Sequence, residues 1–201
     1  MRRFASPGDE VPGATARRTA LRRALAVAAL PLLVATTVSQ APAKDAGMPA
    51  LVILVRHAEK AASPQDDPPL TKAGKERARA LVDALKDTKV TAIITSDAQR
   101  TRETAQPLAE ALGLKPVVVG LGRTGAKAHA EAVAAELRRL TGGVVVVVDH
   151  SDTIPLIIAA LGGPHLPEIS SKEYANFFLL SPGPSGARLV RARYGAPDGG
   201  S

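Results

Sequence analysis

Two histidines and two arginines stand directly after three apolar runs in this chain. Leu51-Val52-Ile53-Leu54-Val55 leads into Arg56-His57-Ala58-Glu59-Lys60. Val90 to Thr95 leads into Ser96-Asp97-Ala98-Gln99-Arg100, and Val144 to Val148 leads into Asp149-His150-Ser151-Asp152. A planar guanidinium matches phosphate oxygens bidentately. A histidine held among such groups can act as a nucleophile toward phosphorus. Either arginine alone would read as a surface cation, and either histidine alone as an ordinary buried side chain. Arg56, Arg100, His57 and His150 together point to phosphoryl chemistry. A metal site fits less well, because two guanidiniums would repel the ion and no well-spaced carboxylates accompany the histidines. The chain has no cysteine, which excludes disulfides, thiolate metal sites and a cysteine nucleophile.

These residues need a frame that brings three strand ends together. Continuous apolar runs predict strands buried on both faces at Leu51–Val55, Val90–Thr95 and Val144–Val148, the last being central. A short strand is expected at Val117–Val119, and two final strands at Ala175–Leu180 and Arg188–Arg193. Charges along the last of these suit a sheet edge. Helical spacing of apolar residues predicts helices from Thr71 to about Lys86, Gln99 to Leu112, Ala126 to Leu140 and Thr153 to Leu161. Thr71 is expected to cap the first helix and Gly113 to stop the second. Strands alternating with helices predict an α/β/α three-layer sandwich, its sheet mostly parallel with an antiparallel edge strand. In such sheets ligands bind beyond the carboxyl ends of the strands, where the histidines and arginines fall.

Val55-Arg56-His57-Ala58-Glu59-Lys60 resembles the Arg-His-(Gly/Ala) signature of the histidine phosphatase superfamily, the phosphoglycerate-mutase-like phosphatases. Leu70-Thr71-Lys72-Ala73-Gly74 is similar to its Leu-Thr-x-x-Gly segment. Thr95 to Ala105 is similar to its second arginine motif, His150-Ser151-Asp152-Thr153-Ile154-Pro155 to its second histidine motif, and Tyr174-Ala175-Asn176-Phe177 to a common late strand. The resemblance runs in order from Leu51 to Arg193 and fits a small branch-1-type member. It implies a phosphatase in which His57 attacks phosphorus and becomes phosphohistidine. Arg56, Arg100 and His150 would surround the phosphoryl oxygens, with His150 cationic or a hydrogen-bond donor. It implies no metal and no other cofactor.

Other positions carry open alternatives. Glu59 and Lys60 either shape the pocket mouth or form a surface ion pair. Ser96 either bonds phosphate or begins the next helix. Arg102, His129 and His165 are expected at the surface. Asp149 stands where the family usually has Gly. Its carboxylate would either orient His150 and raise its pKa, or oppose phosphate. Asp152 stands in place of the usual Asn and is expected to cap the following helix, with a general-acid role as the alternative. The segment Gly120 to Ala130 contains no carboxylate, and Glu131 is the first to follow. Glu59, Glu131 and Asp152 are therefore the candidates for an acid or pocket residue. A missing leaving-group acid would favour good leaving groups, such as an aryl phosphate or a phosphohistidine. A weakly catalytic phosphate-ligand binder on the same fold is the alternative function.

The 201 residues divide unevenly in charge. Net charge is +7, from 26 Lys+Arg and 19 Asp+Glu. Six arginines but only Asp9 and Glu10 precede the apolar run Ala24–Val38, and Ala41-Pro42-Ala43 follows. That pattern predicts a secretory signal peptide over residues 1–43, cleaved after Ala43, by a Sec or Tat route. The mature chain would be exported to the periplasm or beyond, without a stable membrane span. It would comprise a lead-in at 44–50, a domain at 51–195 and a disordered tail at 196–201. Its net charge falls to +3 once the leader's residues are removed. The basic balance then no longer argues for nucleic acid, and few aromatics are available for base stacking. The expected partner is a small phosphorylated substrate, a phosphohistidine or a phosphoprotein. Oligomeric state is not legible.

Overall fold

The computed structural model describes residues 47–199 apart from residue 124. The expected leader and its cleavage point lie outside the described residues. Six strands and four helices alternate as the apolar pattern requires. They are β1 (Leu51–Arg56), α1 (Lys72–Leu85), β2 (Val90–Ser96), α2 (Gln99–Leu112), β3 (Val117–Val119), α3 (Ala126–Leu137), β4 (Val144–Asp149), α4 (Thr153–Ala160), β5 (Asn176–Ser181) and β6 (Arg188–Arg193). The five consecutive valines of β4 are stiff at χ1 and suit a pleated surface better than a helix.

The sheet order is β3-β2-β4-β1-β5-β6. The first four strands run parallel, β5 is antiparallel to β1, and β6 is antiparallel to β5. The valine strand is central, and charged β6 forms an exposed edge. This is the expected three-layer sandwich with antiparallel pairing at one side. Strand alternation sorts the core. Val52, Leu54, Ile94, Val145 and Val147 pack with Ala130, Val133, Leu137, Ile154 and Ile157. On the other face, Ile53, Val55, Ile93, Val146 and Val148 pack with Leu81, Leu85, Ala105 and Leu108. Each such aliphatic side chain contributes about 1.5–3 kcal/mol by leaving water. A core poor in aromatics is therefore adequate here.

Two helix starts are set by contacts that sequence pattern shows only in part. Thr71 caps α1 as expected, its Oγ1 accepting the Gly74 N–H at 3.1 Å. The same residue also ties α1 to the loop after β1, because both its N–H and its hydroxyl donate to the Glu59 carbonyl, at 2.9 and 3.2 Å. Gly74 sits where a Cβ would collide with that carbonyl. The α2 cap position is Ala98, which has no capping side chain. The Gln99 N–H there donates to Asp67 Oδ1 at 2.7 Å, so the loop before α1 supplies the cap.

The tail differs from expectation. Asp198 accepts the N–H groups of Tyr174 and Ala175, at 2.6 and 2.8 Å, and an Arg193 bond at 2.7 Å. Ala196 accepts from Arg77 at 2.9 Å. Residues 196–199 are therefore anchored, because an aspartate there meets the free donors that open β5. Gly74→Ala should cost about 1–3 kcal/mol through backbone displacement, lowering the midpoint of thermal unfolding by several degrees. A calorimetric scan checks this, and an unchanged midpoint would contradict the close approach of α1 to the loop.

Candidate active site

Because β1, β2 and β4 are parallel neighbours, their carboxyl ends meet at one edge. There Arg56, His57, Lys60, Arg100, His150, Asp152 and Glu168 line a cavity of about 420 Å³. Leu121, Gly122, Gly125 and Ala126 close it from the β3–α3 side. A more apolar groove of about 520 Å³ lies beside α2 and β3 and contains no histidine. The four residues expected to do the chemistry thus share one cavity.

Arg56 is buried, and one end of its guanidinium is fully occupied. Its Nη1 donates to the carbonyls of Ser170, Ser171 and Glu173 at 2.8, 3.1 and 3.0 Å. Tyr174 supports it from the side, with the guanidinium carbon 4.2 Å from the ring centroid. Arg56 Nε and Arg100 Nε are both buried without an acceptor among the described residues. Buried polar groups are nearly always hydrogen-bonded, so two orphan donors on cationic groups suit an anion. Asp67, 3.8 Å from Arg100 Nη1, is the carboxylate nearest that arginine.

His57 is held in one tautomer. Its Nδ1–H donates to the Ala58 carbonyl at 2.8 Å, which leaves Nε2 with a free lone pair. Burial, together with the charges of Arg56, His150 and Arg100, pushes its pKa down to about 3. The hydrogen bond to the Ala58 carbonyl opposes this, second in size only to burial. The ring is therefore neutral across the physiological range. The loop is fixed by the His57 N–H donating to the Asp149 carbonyl at 2.8 Å, and by the Ala58 N–H donating to Thr104 Oγ1 at 2.9 Å.

His150 lies 5.4 Å from His57, ring centroid to ring centroid, in an edge-on arrangement. Arg100 can only donate, so its Nη2 bond to His150 Nδ1 at 3.3 Å makes that nitrogen an acceptor. His150 Nε2–H then donates to Ser96 Oγ at 2.9 Å, and Ser96 donates on to Thr101 Oγ1 at 2.8 Å. Ser96 thus neither caps α2 nor lines the cavity; it orients the second histidine. The pKa of His150 is lowered, chiefly by burial, with Arg100 adding to this and Asp149 opposing it. The expected rise caused by Asp149 does not prevail.

Several other positions differ from expectation. Glu59 turns away from the cavity and forms an ion pair with buried Arg77, Oε1 to Nη2 at 2.8 Å. Its partner is not Lys60, because Arg77 is the cation that α1 presses against this loop. Glu131 lies exposed on α3 and does not line the cavity. Asp152 occupies the α4 cap position but makes no capping side-chain bond, and its carboxylate lines the cavity instead. Asp149 is fully buried and accepts bonds from the His150 N–H, the Thr153 hydroxyl and His129. His129, expected at the surface, is buried against it.

Sequence reasoning missed Asp67, Thr104, Tyr174 and Glu168 as parts of the site. Tyr174 had a signal in its place in the late-strand motif, and Thr104 in its place within the Thr95 to Ala105 segment. Among the described residues no group of three or more His, Asp or Glu side chains is placed to hold a metal ion. No described helix is long and apolar enough to cross a membrane.

The architecture and cavity define an α/β sandwich with a histidine–arginine pocket at the carboxyl edge of its sheet. Residues 52–120 match the profile of the histidine phosphatase superfamily (branch 1). A stretch of 72 residues is 40% identical to the probable phosphoglycerate mutase GpmB of Yersinia enterocolitica, covering 33% of this chain and 34% of that protein. The chain therefore spans about a third of the length of the curated relatives it matches. The fold is similar to mycobacterial glucosyl-3-phosphoglycerate phosphatase, with 20% identity, a TM-score of 0.51, and coverage of 72% of this chain and 98% of the other. It is also similar to a structure assigned to phosphohistidine phosphatase SixA from Agrobacterium tumefaciens, with 24% identity, a TM-score of 0.54, and coverage of 75% and 99%. Over residues 52–120 and in its fold, the chain is similar to histidine phosphatases.

Burying neutral histidine has a pH signature. The folded-state pKa of His57 is depressed from 6.5 to about 3. Its contribution to stability is present above about pH 6.5 and is lost as pH falls toward about 3. His57→Gln should therefore lose less thermal stability than wild type across that window. Parallel melting curves for the two proteins would refute this.

Proposed function

We propose that the chain is a phosphatase that hydrolyses phosphomonoesters or similar phosphoryl groups through a phosphohistidine on His57. One observation carries this reading. An unprotonated, positioned His57 Nε2 faces a cavity that also holds two cationic arginines with unpaired buried donors. His57 Nε2 attacks phosphorus in line, forming the N–P bond as the ester P–O bond breaks. The leaving oxygen takes the electron pair and is protonated. Water then attacks the phosphohistidine, the N–P bond breaks, and inorganic phosphate leaves with His57 neutral again. Arg56 and Arg100 stabilise charge on the phosphoryl oxygens in both steps. His150 joins them once its Nδ1 is protonated beside the bound dianion.

The leaving-group proton has two sources at the cavity, Asp152 and Glu168. Glu168 comes from the segment after α4, so the carboxylate absent from the β3–α3 connection is supplied from another direction. The preference for aryl phosphate or phosphohistidine substrates is then graded rather than absolute. A weakly catalytic phosphate binder is the second reading, favoured by Asp149 beside His150. The burial of that carboxylate weakens this second reading. We further propose that residues 1–43 export the protein and are removed. Amino-terminal sequencing of the mature protein tests this, and retention of residues 1–43 would refute it.

His57→Ala should abolish turnover, and Arg100→Ala should lower kcat by about 100- to 1000-fold. Alkaline quenching of the wild type with an aryl phosphate labelled in its phosphoryl group should trap base-stable, acid-labile phosphate on His57. Wild-type turnover by His57→Ala would overturn the assignment. Glu168→Gln and Asp152→Asn separate the acids. Whichever one donates the proton should slow alkyl phosphate hydrolysis more than aryl phosphate hydrolysis.

A further inference from the structure

A carboxylate immediately before the second pocket histidine is an unfavourable neighbour for a phosphate. Asp149 nevertheless stands there with no exposure to solvent. Burying an ionised carboxylate costs several kcal/mol unless it is paired and hydrogen-bonded. Each of its oxygens is accounted for. Oδ1 accepts the His150 N–H at 2.9 Å and the Thr153 hydroxyl at 2.7 Å. Oδ2 accepts His129 Nε2–H at 2.9 Å, and both side chains of that pair are fully buried. The other ring nitrogen of His129, Nδ1, lies 3.1 Å from the Gly120 carbonyl. A carbonyl and a carboxylate can only accept, so both ring nitrogens of His129 donate and the ring is an imidazolium.

Asp149 is also the junction of the site. Its main chain stands opposite Arg56 in the β1–β4 ladder, and its carbonyl accepts the His57 N–H at 2.8 Å. Its side chain holds the His150 backbone and the first turn of α4. The charge that keeps this carboxylate turned inward comes from α3, far along the chain. We propose that His129 is a positioning residue of the phosphatase site. By neutralising Asp149 and bridging it to Gly120, it keeps the carboxylate out of the phosphate pocket and holds His57 and His150 in register. It touches no substrate and acts only through Asp149 and the Gly120 carbonyl. This inference rests on the phosphatase reading.

The charged groups around His129 set its pH behaviour. Asp149 and His150 face it from the end of β4, and Asp97 from the β2–α2 connection. Burial works to lower its pKa. The Asp149 bond and charge, the Gly120 carbonyl and Asp97 together raise it above 6.5. The stabilising contribution of the ion pair is thus fully present below about pH 6.5 and is lost as pH rises through the folded-state value.

The test is a double-mutant cycle in the full chain with His129→Gln, Asp149→Asn and both together. Glutamine can still donate to Asp149 but carries no charge. His129→Gln should lower kcat on an aryl phosphate by about 10- to 100-fold, as misplacement of reacting groups does, with a smaller change in KM. It should also remove the alkaline limb of the kcat profile. In the Asp149→Asn background the same substitution should change kcat by less than about twofold, because no buried charge is left to neutralise. Wild-type kcat and pH profile in His129→Gln, or equal losses in both backgrounds, would overturn the proposal. If His129→Gln does not fold, recovery of folding by the double variant supports the proposal, and failure to recover refutes it. Inorganic phosphate affinity and the NMR titration of the His129 ring, with and without Asp149→Asn, report on the same tie without turnover. Absence of any wild-type hydrolysis would sink the phosphatase reading alone. A His129 ring that titrates identically in both backgrounds would sink the positioning role alone.

Discussion

The parallel ladder between β1 and β4 ends with Arg56 opposite Asp149. One further hydrogen bond, from the His57 N–H to the Asp149 carbonyl, carries the pairing into the loop. This register places His57 beside His150. Side chains alternate between the faces of a sheet, so a slip of one residue would exchange the side chains that fill the two core layers. The apolar core on both faces therefore protects the register, and the register protects the site. Chemistry at the strand ends inherits its accuracy from packing in the strand interiors.

The electrostatic design follows from burial at that edge. Two guanidiniums and two histidines share a poorly solvated cavity. Desolvation, with like charge adding to it, lowers the pKa of both rings and favours their neutral form. The arginines cannot lose their protons, so they must be held by dipoles or counter-charges. Arg56 is held by three backbone carbonyls from the segment before β5, and Tyr174 packs against its plane. Arg100 has Asp67 nearby and His150 as an acceptor. A hydroxyl relay through Ser96 and Thr101 settles which nitrogen of His150 carries the proton. Asp149, the one buried carboxylate among the described residues, is matched by His129. The carboxylate next to His150 is thus directed into the interior, while both guanidiniums stay at the cavity.

Much of the frame was legible in the primary structure. Local apolar periodicity located all ten elements, with most ends within a residue or two, because each element buries a face or stripe that its own residues must supply. α3 stops at Leu137, three residues before the expected Leu140, where the chain turns toward Gly142 and Gly143. Arg56, His57, Arg100 and His150 were legible because each directly follows a strand, and strand ends of a parallel sheet converge. The residues misplaced or left between alternatives share a different property. His129, Glu59, Asp149 and Asp152 are polar groups whose partners lie on other elements, and nothing local says which way they turn.

The order of strands and helices, the aliphatic core and the four residues at three strand ends were determined by the sequence itself, through periodicity and the rule that parallel strands share an edge. The tertiary structure alone decided how the charges are matched. It sent Glu59 to Arg77, brought Asp67 and Glu168 to the cavity and closed Asp149 against His129. Those pairings join positions tens of residues apart, and they are selected by which donors and acceptors packing leaves buried together.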